Sequence, residues 1–404
     1  MLAAIGCALV LAASRAATQP IATGGAAPEW TLLASPAATG SMAPQMTVAE
    51  GRAILSWIEG TGGTTTLRFV ERTESGWSPV RVVASGEQLM VNSADVPSVM
   101  ALGPRSLVAA WLEKNGSEAE AYDSRLSWSA DDGRTWSKAV SPHNDRTQTQ
   151  HGFVSMFRDG LSGVGLVWLD GRAFETSPDK AAMSLRAATY ASGPTPAPTH
   201  EALVDARVCD CCPVSTAVTA EGVIAAYRDR SGDDVRDINV SRLANGRWTT
   251  PVRVHADGWK IAACPVNGPA IAANGRDVAV AWSTVREGRG RALVAFSRNG
   301  GRTFEAPIRV DDEQSAGRPQ IAWLDDRAVA VSWVEFSDGR SQFRLRRVGG
   351  TGIRSPSATV ADGMGAQHPR MARRQNELLL AWVENTRGTT RVRTASAQLP
   401  RISK

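Results

Sequence analysis

Ala53-Ile54-Leu55-Ser56-Trp57 is a run of small apolar residues closed by an indole, with an acid close behind at Glu59. The same pattern recurs at Leu107-Val108-Ala109-Ala110-Trp111, Gly165-Leu166-Val167-Trp168 and Val223-Ile224-Ala225-Ala226-Tyr227. It returns at Val278-Ala279-Val280-Ala281-Trp282, Ala328-Val329-Ala330-Val331-Ser332-Trp333 and Leu378-Leu379-Leu380-Ala381-Trp382. The aromatics fall at 57, 111, 168, 227, 282, 333 and 382, so the intervals are 54, 57, 59, 55, 51 and 49. A period near 50 with several short strands per unit is the signature of a β-propeller, whose blades are four-stranded sheets. The fold class read from the repeats is therefore all-β, with seven blades by count and six as the alternative. Each unit parses into an inner strand, the apolar-to-aromatic second strand, a third strand and an outer strand. The inner strand is often introduced by a proline: Pro44, Pro97, Pro213, Pro269, Pro319 or Pro369. Unit seven, from Gln367 to about Leu399, lacks an outer strand, and Glu29-Trp30-Thr31-Leu32-Leu33 could supply it and close the ring.

Composition agrees. The 404 residues include 37 Gly, 21 Pro and 13 Trp but only 3 Tyr, so turn formers are plentiful, and long helix-period runs are absent. At 43% hydrophobic and 21% charged the chain is globular in composition. The net charge of +5 rests on 40 Arg spread without a basic block. That distribution suits a small anionic ligand and argues against nucleic acid as a partner. Past the N-terminus no apolar run approaches the 18 or so residues of a membrane span. A monomer without a cofactor is expected.

Residues 1–17 read as a signal peptide: an apolar run to Ala13, then small residues around Arg15. Residues 18–28 read as a flexible linker, 29–399 as a single propeller domain and 400–404 as a tail. The expected location is periplasmic or secreted. Cys7 after Ala4-Ile5-Gly6 leaves a lipid-anchored form open. The other cysteines, Cys209, Cys211, Cys212 and Cys264, are an even set and read as two disulfides in an exported protein. Three connectivities are open, and Cys211–Cys264 with Cys209–Cys212 is preferred. A metal or redox site using these cysteines with His151 or His368 is the competing reading. However, C-x-C-C with a distant Cys matches no usual zinc spacing, and no metal ligand is assigned.

The turn between third and fourth strands carries a second motif. Unit two reads Ser129-Ala130-Asp131-Asp132-Gly133-Arg134-Thr135-Trp136, and unit five reads Ser297-Arg298-Asn299-Gly300-Gly301-Arg302-Thr303-Phe304. Asp or Asn tolerates the left-handed turn and bonds its backbone, while the aromatic packs over it. The motif resembles the Asp box of the sialidase (neuraminidase) superfamily, the BNR-repeat proteins. His151-Gly152-Phe153-Val154-Ser155, Trp168-Leu169-Asp170-Gly171-Arg172, Cys209-Asp210-Cys211-Cys212-Pro213 and Cys264-Pro265-Val266-Asn267-Gly268-Pro269 together are similar to a group of exported bacterial sialidase-like proteins. The resemblance implies a glycosidase-type propeller with its site on the face opposite the boxes. It also implies a three-arginine carboxylate clamp, a tyrosine nucleophile with its glutamate, and an aspartate acid/base. The early Arg-Ile-Pro of that family is absent; Ala43-Pro44-Gln45 stands there. Tyr227 fills the repeat's aromatic position.

Inner-strand starts and second-strand ends share one face, so their polar residues should meet in a funnel. The candidates for binding an anionic or glycan ligand are His151, Arg172, Arg228, Asn267, Arg318, His368 and Arg370. Asp170 and Asp229 are the candidates for acid/base hydrolysis by paired carboxylates. A non-catalytic binding propeller is the alternative from another class.

Overall fold

The computed structural model describes residues 26–160, 163–177, 182–191, 198–363 and 367–399. The expected signal peptide, Cys7, most of the linker and the 400–404 tail lie outside the described residues.

The chain is an all-β, seven-bladed propeller, built as seven antiparallel sheets in sequence order. The inner strands are Ser41–Ala49, Ser98–Ala101, His151–Asp159, Ser215–Thr219, Ala270–Asn274, Ser315–Trp323 and Gln367–Arg374. One short helix, Ala173–Thr176, is the only α-helix among the described residues. Blade two departs from the four-strand parse. Its sheet has three strands, and the outer position is held by a single bridge, Leu126 to Val140.

Each second strand is apolar on both faces because both are covered by neighbouring blades. Ala279 and Ala281 of blade five, for instance, share one apolar cluster with Val329, Val331 and Trp333 of blade six. The repeat aromatics are buried throughout, and Trp57, Trp168, Tyr227, Trp282 and Trp333 have no exposed surface. A buried N–H must find an acceptor or cost free energy. Trp57, Trp111 and Trp168 each donate to the acid two residues on, at 2.7 Å to Glu59, 2.9 Å to Glu113 and 2.9 Å to Asp170. Trp333 donates to Glu335 in the same way. Blade five has Thr284 at that offset, and Trp282 bonds Asp257 instead, at 2.7 Å. In blade four the longer Tyr227 side chain reaches past Asp229 to Asp205, at 2.7 Å. The charged strand ends that sequence reasoning sent to a funnel are thus, in four blades, acceptors for their own blade's indole.

Proline inside an inner strand is accommodated by bulges. The pairing register slips between Met42 and Gln45, Gly317 and Gln320, and Gln367 and Arg370, so Pro44, Pro319 and Pro369 owe no ladder bond. The residue before each of these prolines, Ala43, Arg318 and His368, has a left-handed φ of 51°, 57° and 50°. Such conformations are costly for side chains with a Cβ.

The ring closes as the N-terminal stretch suggested. Thr31–Leu33 pairs with Ser396, Ala395 and Thr394 as the outer strand of blade seven. Across the same seam Arg72 of blade one meets Glu377 of blade seven at 2.7 Å, both side chains largely buried. Cys209 is paired with Cys212 and Cys211 with Cys264, with Cα atoms 5.7 and 6.1 Å apart. The second pair ties the start of blade four to that of blade five.

Deleting residues 29–35 exposes the edge of Thr389–Gln398 and should cost about 2–5 kcal/mol. A chemical-denaturation curve as steep and as late as wild type would count against closure as a source of stability. Cys264→Ser opens a loop of 53 residues, which loop entropy values at roughly 4 kcal/mol. The expected result is a lower denaturation midpoint with a slope equal to or slightly steeper than wild type, because the opened chain unfolds to a less compact state.

Candidate functional site

The seven inner strands enclose an axial cavity of about 290 Å³. Gln45, Asp95, Ser155, Thr216, Gln320 and Arg370 are among the groups on its wall. The left-handed residues stand where these strands begin, and a bulge at that point re-aims side chains away from the regular alternation.

Arg370 lines this cavity, and two more of the expected binding residues, Arg318 and His368, are its electrostatic neighbours. Arg318 and Arg370 both depress the His368 imidazole, after burial, to about 4, and Arg318 adds to the burial that pushes Arg370 down to about 10. Burial alone lowers Arg318. Arg370 donates to the carbonyls of Pro44, at 3.0 Å, and Pro369, at 3.3 Å. Among the described residues no carboxylate pairs with Arg318 or Arg370, and buried His368 Nδ1 has no partner. Asn267 shapes this corner: its Oδ1 accepts the Arg318 N–H at 3.0 Å. A Cβ on Gly317 would lie 2.1 Å from that oxygen, so only glycine fits.

Arg228 belongs elsewhere. It is 1% exposed and donates to the carbonyls of Asn267, Arg236 and Ser283 at 2.7, 2.6 and 2.6 Å, with Trp259 4.9 Å away against its face. That geometry suits a staple between blades four and five, and leaves no fork for a ligand.

His151, Asp170 and Arg172 form a separate cluster between blades two and three. Asp170 is fully buried; Arg172 Nε reaches Oδ1 at 2.6 Å, while Arg172 Nη2 and Trp168 reach Oδ2 at 2.7 and 2.9 Å. These donors hold the carboxylate below its ordinary range although burial opposes them. A group so engaged cannot readily take or give a proton. Asp229 is remote from it in interaction: burial raises it, and its electrostatic neighbours are Asp205, Arg253 and Asn239. The two expected catalytic carboxylates are not brought together by any described contact.

The same cluster holds His143 and His151 stacked face to face, centroids 3.7 Å apart and planes within 9°. Asp123 and Asp145 flank the stack, each within 3.4 Å of both rings. Asp123, His143 and His151 bring metal-ligand atom types close together, but His151 Nδ1 donates to the Thr149 carbonyl at 3.1 Å and so has no lone pair for an ion. The four cysteines, all paired with one another, offer no thiolate for one.

Asp95 and Tyr122 escaped the sequence reading. Asp95 is 4% exposed on the cavity wall; its carboxylate accepts the Phe153 N–H at 2.6 Å and the Tyr122 hydroxyl. Burial outweighs both bonds and pushes the carboxyl up to about 7. A Cβ on Gly152 would sit 2.0 Å from Asp95 Oδ2, which explains the glycine after His151. The proline rule could have found Asp95, since it stands two places before Pro97.

No family model matches the chain, and no curated protein matches it. Solved structures do. An ulvan lyase of polysaccharide lyase family PL25, bound to a GlcA(1-4)Rha3S unit, aligns at TM-score 0.60 and 10% identity over 90% of this chain and 95% of its own. The polysaccharide lyase Uly1 aligns at 0.54 and 11% over 89% and 90%, and the phage phi92 endosialidase at 0.52 and 10% over 96% and 72%. At these identities the likeness is one of fold.

The Asp95 carboxyl rises from 3.8 to about 7 on folding. The native state therefore holds a proton that the unfolded chain has lost, and stability falls as pH rises across that interval. Asp95→Asn removes this cost while keeping an acceptor. At pH 8 it should stabilise the protein by up to about 4 kcal/mol, with little gain at pH 4. Denaturant melts of both proteins at the two pH values check this.

Proposed function

We propose that the protein is an exported, sialidase-like propeller that binds an anionic glycan at the mouth of its axial cavity. The observation that carries this reading is that Arg318 and Arg370, near enough to each other and to the neutral His368 to lower His368, have no carboxylate ion-pair partner among the described residues, and that Arg370 lines the cavity. Two part-buried guanidiniums lacking counter-ions favour an acid group from solution, and the planar fork suits a carboxylate or sulfate. Cysteine pairing supports an oxidising compartment. The turns at Ser129–Trp136 and Ser297–Phe304 support kinship with the Asp-box proteins. In both, a serine accepts the N–H of the turn glycine, and Asp131 or Asn299 accepts the next two. The neighbours named as polysaccharide lyases and as an endosialidase fit a glycan ligand.

A catalytic form of the reading rests on Asp95. It is the one acid among the described residues on the cavity wall, it shares that wall with Arg370, and it titrates near neutrality. Hydrolysis by two carboxylates needs a partner roughly 5–9.5 Å away. A lone base in a cavity whose far wall carries a cation suits proton abstraction next to an acid group of the ligand, hence elimination. In this reading Asp170 and Asp229 are structural, as is Arg228.

Calorimetry with uronic-acid and sulfated oligosaccharides tests the proposal. Wild type should bind them in a salt-sensitive way and ignore neutral analogues. Arg318→Ala and Arg370→Ala should each weaken binding by roughly 2–5 kcal/mol. Asp95→Asn should keep binding and abolish turnover, read as loss of unsaturated product. Arginine variants that bind as wild type would overturn the anion site. Binding without any turnover in wild type would leave a lectin-like propeller.

A further inference from the structure

Asp95, the acid on which the catalytic reading rests, is aimed by hydrogen-bond donors and by close packing. The Asn92 side chain accepts the N–H groups of Ala94 and Asp95 at 2.8 and 3.2 Å, which fixes the chain before the inner strand of blade two. The Asp95 carboxylate then accepts the Phe153 N–H of blade three at 2.6 Å and the Tyr122 hydroxyl of its own blade. Gly152 leaves room for both partners: a Cβ there would lie 2.0 Å from Asp95 Oδ2 and 2.8 Å from Tyr122 Cε2. Burial, the Phe153 N–H and the Tyr122 hydroxyl govern the titration of Asp95, and no charged side chain among the described residues adds to them.

Tyr122 is fully buried and stands off the cavity wall, so it does not touch a ligand there. Burial first, and then the Asp95 charge with a smaller push from Glu120, drives its hydroxyl far up, and it stays protonated. That excludes Tyr122 as the tyrosine nucleophile implied by the sialidase resemblance. Its single proton has a direction, however, and Gln150 sets it. The Gln150 side-chain amide donates to the Tyr122 oxygen. Gln150 is itself anchored where blades two and three meet. It forms a parallel bridge with Tyr122, and its carbonyl accepts the Gly171 N–H at 2.9 Å. A phenol oxygen that accepts from Gln150 keeps its own hydrogen for the acceptor on the other side, which is Asp95. A hydrogen donated to a carboxylate favours the ionised form, and donors in a chain strengthen one another.

Taking Asp95 as the base of the proposed site, the reading on which this step rests, we infer that Tyr122 is its positioning residue. The Tyr122 hydroxyl, turned by the Gln150 amide, fixes the Asp95 carboxylate on the cavity wall and favours its proton-accepting form. Burial makes Asp95 a strong base, and the chain from Gln150 through Tyr122 keeps that base usable near neutral pH. Without the hydroxyl, Asp95 would be mostly protonated there and idle.

The test follows the Asp95 carboxyl by ¹³C NMR of full-length protein labelled at aspartate, with Asp95→Asn identifying its signal. In wild type the midpoint is expected at about 7. Tyr122→Phe keeps the ring and removes the donor, and the midpoint should rise by about one pH unit. Gln150→Met should raise it by less, since the hydroxyl stays but loses its orienting partner. This second variant carries the test if the buried Tyr122→Phe does not fold. With a uronic-acid oligosaccharide, the acid limb of kcat/KM should move by the same interval, while KM on the plateau stays unchanged. A midpoint that stays at the wild-type value in every variant that folds overturns the role of Tyr122, whatever the turnover. A midpoint that moves in a protein without turnover supports the hydrogen-bond chain and removes only the catalytic reading of Asp95.

Discussion

A buried indole, or in blade four the Tyr227 phenol, brings a polar hydrogen into the driest part of each blade, and the structure depends on giving that hydrogen an acceptor. The solution used most often is local: an acid two residues on, where the second strand leaves the core, turns back to accept it. Glu335 also gathers the backbone N–H groups of residues 312–314. One carboxylate thus fixes an indole and a connecting loop at once. A glutamate or aspartate removed from such a place leaves a buried donor unpaired, which costs more than the bond contributed.

That constraint explains how far the sequence could be read. The seven aromatics announced seven blades because their spacing reflects one packing need repeated around a ring. Pairing by Thr31–Leu33 was legible from the missing outer strand of the last unit. The roles of the charged residues were less so. Asp170 and Asp229 stand at the same offset from an aromatic, yet one accepts an indole and the other does not. The difference is that Tyr227 reaches Asp205 through a longer side chain. Arg228 and Arg370 look alike in sequence, but only the first has all its surface covered and its donors on three carbonyls. Which arginine is structural is decided by packing from adjacent blades, which no local pattern encodes. Asp95 was missed because its importance comes from burial beside Tyr122, a residue on another strand of its blade.

The bulged inner strands join fold to site. Proline needs a place without a ladder bond, the bulge provides one, and the residue before it turns left-handed. In blades six and seven that residue is Arg318 or His368. The backbone strain in these two blades therefore sits at Arg318 and at His368, the immediate neighbours in charge and chain of Arg370.

Ring closure sets the order of events during synthesis. The strand that completes blade seven is made before blade one, and its partner, around Ala395, only with blade seven itself. Bringing them together closes a loop of more than 350 residues, at an entropic cost of about 5 kcal/mol. Until then a growing chain carries finished blades and a short unattached ribbon. Afterwards the ribbon can clasp its own last blade or that of another chain released nearby. At high local concentration the second choice competes, and two rings become linked by exchanged ribbons. The same three residue pairs that seal a monomer therefore make strand exchange the natural misassembly of this protein.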